Sequence, residues 1–119
     1  MATRTILKYA DGTDTNWKNI DLANNVTAVG ARYRVIGNAV YIKLNDVKFS
    51  NGIPAAGSAT LGSIPSAYAP SSWTTVLVII GNADVGKLGI NNSGTMTLYT
   101  NVAVTSSTIV GGLTFYLFD

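Results

Sequence analysis

Residues 32–49 read Arg32-Tyr-Arg-Val-Ile-Gly37-Asn38-Ala-Val-Tyr-Ile-Lys-Leu-Asn-Asp-Val-Lys-Phe49, and this stretch decides the fold. Two runs rich in β-branched and aromatic residues flank Gly37-Asn38. A two-residue Gly-Asn loop suits a primed turn, whose twist matches the strands on either side. On the return strand Val40, Ile42 and Leu44 share one face at period two. Val47 and Phe49 fall out of phase with them. One extra residue near Asn45-Asp46 restores the phase, so a β-bulge or bend is expected there.

The same pattern extends outward in both directions. Upstream, residues 5–9 form a short strand candidate, followed by an Asp11-Gly12-Thr13-Asp14 turn. Residues 17–22 carry Trp17, Ile20 and Leu22 as apolar positions and form a core strand with Trp17 packed inside. Asn24-Asn25 opens a loop to Gly30. Downstream, 60–64 is a short strand ending in the two-proline corner Pro65-Ser-Ala-Tyr68-Ala-Pro70, read as a locked bend between two sheets. Strands follow at 74–80, 85–90 and 95–100, separated by Gly81-Asn82 and by Asn91-Asn-Ser-Gly94. A weaker strand and a Ser/Thr turn fill 101–110, and 113–118 closes the chain. Eight or nine strands at intervals of about ten residues indicate an all-β antiparallel sandwich or jelly-roll-like barrel. Residues 1–16 read as a linker or neck and 17–119 as the domain.

Composition agrees and removes whole classes of chemistry. The 119 residues make one domain, large enough to bury a core without staples. Charged residues are only 12%, about half the usual quarter. There is no Cys and no His, so disulfides, thiolate sites, the commonest general base and the commonest metal ligand are all missing. All six acids are Asp. No Gly-x-Ser-x-Gly elbow or phosphate-binding loop occurs. The Asp11/Asp14 pair is too thin for a calcium loop. A non-enzymatic protein without metal or cofactor is expected. The eight Lys and Arg are scattered, and no basic stripe of the nucleic-acid-binding kind is visible. No apolar run reaches membrane-spanning length. The start, Met-Ala-Thr-Arg-Thr, carries no signal-peptide pattern, so cytoplasmic synthesis is expected.

Two strands break the alternation. Residues 76–80 (Val-Leu-Val-Ile-Ile) and 113–118 (Leu-Thr-Phe-Tyr-Leu-Phe) are apolar on both faces. A one-sided antiparallel sheet alternates, so their outer faces need cover, from a long loop or from another subunit. A homo-oligomer is the expectation. For ligands, Trp73 beyond the corner, Asn82 and Asp84 in the next loop, and Tyr99 and Asn101 around the later turns are the candidates. Aromatic faces stack on sugar rings, and amides and carboxylates bond their hydroxyls. Asn91 and Asn92 double as plain turn residues.

The order Trp17-x-x-Ile20-x-Leu22, Tyr33-Arg34-x-x-Gly37-x-x-Val40-x-Ile42, Leu61-x-x-Ile64-Pro65-x-x-Tyr68-x-Pro70, then strand, Gly/Asn turn, strand and apolar C-terminal strand resembles the C-terminal heads of phage tail-fibre and baseplate receptor-binding proteins. Phages of lactic-acid bacteria and other Gram-positive hosts carry such heads. Their corner usually reads Leu-Pro-x-Gly-Tyr-Arg-Pro; here Ala67 replaces the Gly and Ala69 the Arg. The resemblance spans about residues 17–119. It implies a homotrimer of β heads in the virion, joined to other tail or baseplate proteins, binding host cell-wall saccharide in or near clefts between subunits.

Overall fold

A computed structural model describes residues 14–117. The strand expected at 5–9 and most of the 11–14 turn lie outside them. Ten strands form: β1 (Lys18–Asn19), β2 (Asp21–Leu22), β3 (Val26–Thr27), β4 (Gly30–Ile36), β5 (Ala39–Phe49), β6 (Ser58–Ser63), β7 (Thr74–Ile80), β8 (Asp84–Ile90), β9 (Thr95–Tyr99) and β10 (Val110–Leu117). They pair in the order β1-β4-β5-β10-β7-β8-β9-β6-β2, with β3 against β5. Every ladder is antiparallel.

The first and last strands of that order are neighbours in sequence, separated only by Ile20. Lys18 and Asn19 pair with Tyr33 and Arg32 on β4, while Asp21 and Leu22 pair with Ser63 and Gly62 on β6. Ile20 is buried, and its amide donates to the Ala31 carbonyl at 2.9 Å. One short segment thus crosses from one edge of the sheet to the other and nearly closes it into a barrel. The edge of β4 is lined further back by Asp14 and Thr15; the Thr15 amide donates to the Val35 carbonyl at 3.1 Å. Asp14 and Thr15, from the segment read as linker or neck, thus touch the β4 edge through one isolated bridge and one backbone hydrogen bond.

Inside the barrel the expected alternation fills the core. Val40, Ile42, Leu44, Val47 and Phe49 of β5 are all buried. The bulge is where the phase break requires it. Between its Val110–Val47 and Gly112–Leu44 pairs, β10 advances two residues while β5 advances three. Asp46 takes up the excess in the left-handed region, at φ 51°, which Asp tolerates better than most residues. Gly37 carries the φ of 60° that a primed turn needs at its first central position.

Four expectations are corrected. The loop from Asn24 to Gly30 contains β3, whose Val26 pairs with Phe49. Residues 101–110 hold no strand before Val110, only the Ile53–Val104 bridge. Trp17 is 37% exposed rather than packed in the core. It stands three residues from Ile20, an odd number, and so falls on the opposite face of an extended chain. Finally, the proline corner does not join two sheets. It caps one end of a single sheet, carrying the chain from β6 past β9 and β8 to β7.

That corner is held from both sides. Pro65 opens a 3₁₀ turn, Ser66–Tyr68, in which the Tyr68 amide donates to the Pro65 carbonyl at 3.0 Å. The Tyr116 hydroxyl, on β10, donates to the Tyr68 carbonyl at 2.7 Å. The Tyr68 ring lies 6.1 Å from that of buried Tyr33. Burial raises the Tyr116 phenol well above its ordinary range.

The outer face explains the unbroken apolar strands. Leu77 and Ile79 of β7, Val85 of β8, and Leu113, Phe115 and Leu117 of β10 all point outward, each at least 44% exposed. Since β10 lies between β5 and β7, these side chains form one continuous apolar face. No segment among the described residues covers it.

Candidate functional site

At the β7–β8–β9 end of this face lies an aromatic ledge. The chain leaves buried Pro70 and turns through Ser71-Ser72, where the Thr74 hydroxyl donates to the Ser72 carbonyl at 3.1 Å. Residues 73, 75, 77 and 79 then project outward at period two. Trp73, 52% exposed, is steadied by its indole Nε1–H, which donates to Thr75 Oγ1 at 3.2 Å. Its ring lies flat over Gly89, where a Cβ would collide with the six-membered ring. The missing side chain at Gly89 is what makes room for the indole.

Tyr99, at the end of β9, meets Trp73 edge to face, with centroids 6.0 Å apart and planes at 71°. Aromatic pairs favour this geometry because the positive ring edge meets a negative face. Lys87 lies between β7 and β9, paired with Leu77 on one side and Tyr99 on the other. Beside it opens a hollow of about 470 Å³ lined by Leu77, Val85, Lys87, Tyr99 and Asn101, with Ala56 and Gly57 at its rim. The hollow's wall is fixed by the backbone: the Thr100 amide donates to the Gly57 carbonyl at 3.1 Å, and buried Thr100 accepts from the Val102 amide through Oγ1 at 3.1 Å.

Of the residues singled out on sequence, Trp73, Tyr99 and Asn101 come together. Asn82 and Asp84 do not join them. Asn82 sits in the 81–83 turn at the far end of the β7–β8 hairpin, about 23 Å of strand from Trp73 by the rise per residue. Asp84 is not in the loop but opens β8, paired with Ile80. Its parity is that of inward-facing Gly86 and Leu88, opposite to Val85 and Lys87. Asn91 serves its turn: Oδ1 accepts from the amides of Ser93 and Thr95, both at 3.0 Å.

Lys87 and Val85 escaped the sequence reading, which placed Leu77 only on the outer apolar face of the 76–80 strand. Lys87 alternates with Val85 and Gly89, a signal that was present but carried no meaning until the β8–β9 register set it beside Tyr99. Among the described residues no group of three or more His, Cys, Asp or Glu could hold a metal. What the site offers is an aromatic ledge, an ammonium and an amide, a combination suited to a sugar's apolar face and its hydroxyls.

The chain shares its fold with a phage head domain. One such match is the head domain of lactococcal phage bIL170, a structure described in asking whether the receptor-binding domains of lactococcal phages have a common fold. The two superpose with a TM-score of 0.70, over 87% of this chain and 97% of that one, at 14% sequence identity. In sequence, no protein-family model and no curated protein matches the chain. The resemblance to phage receptor-binding heads read from the motif order is thus met at the level of fold. At this identity the side chains of the hollow have to be argued from this chain's own geometry.

Proposed function

We propose that this protein is the receptor-binding head of a phage tail, and that it holds host cell-surface saccharide on the Trp73–Tyr99 ledge and in the hollow beside Tyr99. The fold likeness to the bIL170 head domain, nearly complete along both chains, carries the reading. A pyranose stacks on the Trp73 face, with Lys87 and Asn101 giving hydrogen bonds to its oxygens. The head acts without catalysis and without a cofactor, in the virion, attached to other tail or baseplate proteins.

The uncovered apolar face supports a homotrimer. Full burial of each large side chain there is worth on the order of 1.5–3 kcal/mol, and an apolar patch of this size is a common mark of an interface. Leu77 and Val85 belong both to that face and to the hollow, so the sugar sits beside the join between subunits. Three weak sites on one rigid head raise avidity without new contacts.

Binding of the purified protein to host envelope fractions and to a glycan array tests this. Trp73→Ala should weaken binding at least tenfold with an unchanged melting temperature. Gly89→Val should do the same with the indole still present, because the ring loses its seat. Asn82→Ala and Asp84→Ala should bind as the parent does. Absence of binding to every envelope fraction would instead indicate a structural trimerisation module of the tail or baseplate.

A further inference from the structure

A second cluster lies on the same outer surface but at the opposite edge, on β1, β4 and β5. Arg32 and Lys43 stand directly across from one another on β4 and β5. Both are exposed. Like charges facing each other across an antiparallel pair repel. Yet neither side chain has an ion pair or a carboxylate hydrogen bond among the described residues. Arg34, two residues along, faces the same way. Its guanidinium is committed to Asp14, with Nε and Nη2 donating at 2.9 and 2.6 Å to the two carboxylate oxygens.

Trp17 lies among these cations. Its ring centroid is 5.7 Å from Lys43 Nζ and 5.9 Å from Arg34 Cζ. The aromatic face helps hold both cations but neutralises neither. Three cations against one carboxylate leave an excess of two positive charges. That equals the formal net charge of the whole chain, +2. The charges outside this cluster sum to zero.

A repulsive pair on an exposed sheet face, with no acidic partner among the described residues and an aromatic ring beside it, is a half-made anion site. We propose that the Arg32–Lys43 pair, with Trp17, binds an anionic group — phosphodiester or carboxylate — carried on a polymer chain. One oxyanion between the two cations converts their repulsion into two charge-assisted hydrogen bonds. Arg supplies the planar fork and Lys the point charge. The indole gives the neighbouring unit of the polymer a flat surface. The patch is separate from the Trp73–Tyr99 ledge and its neighbouring hollow and does not depend on the saccharide reading.

The intact protein is titrated calorimetrically with poly(glycerol phosphate), with polygalacturonate and with neutral dextran, at low and at high salt. Binding is expected for at least one polyanion and not for dextran, and to fade as salt screens the charges. The first two arms separate phosphate from carboxylate as the preferred group. Arg32→Ala/Lys43→Ala should weaken polyanion binding at least tenfold, while Trp73→Ala leaves it intact. Lys43→Glu separates binding from folding. It sets an opposite charge across from Arg32, so the melting temperature should rise while polyanion binding is lost. No polyanion binding at low salt overturns the proposal, as does binding unchanged in the double variant. A double variant that alters the oligomeric state also overturns it, since a second copy would then be the occupant. Loss of envelope binding in Trp73→Ala with polyanion binding intact would affect the hollow alone.

Discussion

Single side chains fasten the ends of this barrel, and their chemistry makes them readable by pH. The Tyr116 hydroxyl is a long-range tie, reaching from β10 to the proline corner. Tyr116→Phe should cost about 1 kcal/mol, the net worth of one such bond, and lower the melting temperature by roughly 4 °C. Burial raises this phenol in the folded state. The stability it gives is therefore complete below the unfolded value near 10 and declines as pH rises beyond it. The parent should lose stability more steeply than Tyr116→Phe above pH 10 in thermal melts. Asp14 has the opposite sign. The hydrogen bond from Arg34, then that from the Asn16 amide, lowers its carboxyl from 3.8 to about 2. Its contribution is present above pH 4 and fades as pH falls toward 2. The pair is solvent-exposed, so the effect is small. Asp14→Asn should flatten that part of the melting-temperature profile and leave neutral pH nearly unchanged.

Among the elements, what was legible in the sequence was what is local. The β4–β5 hairpin depends on a two-residue loop and a period of two, both visible within 18 residues. The bulge was visible because Val47 and Phe49 break phase, and only one extra residue repairs it. Deleting Asp46 should therefore turn Val47 and Phe49 outward and bring Lys48 into the core. Circular dichroism and thermal melts should show a protein that does not fold. The ladders of β1 and β2 were not legible, because two residues contain no period. Trp17 was misplaced for another reason: its odd spacing from Ile20 was visible, but the run 17–22 was read as one strand by its apolar content rather than by its parity. The candidate site was half legible. Trp73 and Tyr99 are recognisable as aromatics near turns. Their meeting depends on the absent side chain of Gly89 and on the β8–β9 register, both non-local. Asn82 lies away from Trp73 because a hairpin separates its turn from its open end by the full strand length, and Asp84 is set apart from the hollow by its parity on β8.

At the scale of the whole molecule, the outer surface divides into three zones along the sheet. Cations and Trp17 occupy β4 and β5, aliphatic side chains occupy β10 and β7, and the aromatic hollow lies on β8 and β9. The middle zone should decide assembly. The parent protein should sediment as a trimer of its 12.5 kDa chain at micromolar concentration. Leu113→Asp/Phe115→Asp should sediment as a monomer and keep its β-sheet circular dichroism, since both residues are exposed in the single chain. A parent that sediments at the mass of one chain would rule out the trimer.

The crossing segment at Ile20 has a consequence for how the molecule opens. A barrel closed by regular strands hides its edges many times over, but here one stretch, residues 14–23, lines both the β4 edge and the β6 edge. It works as a single latch on two doors. If it lifts, two rows of unpaired amides and carbonyls are bared together, and either can template a strand from a neighbouring copy. The amides of Ile20 and Ala23, which bond to Ala31 and Leu61 across the seam, are then the sentinels of that event. Their exchange with solvent deuterium would report the first breath of the barrel, in which Ile20 is the core residue exposed first.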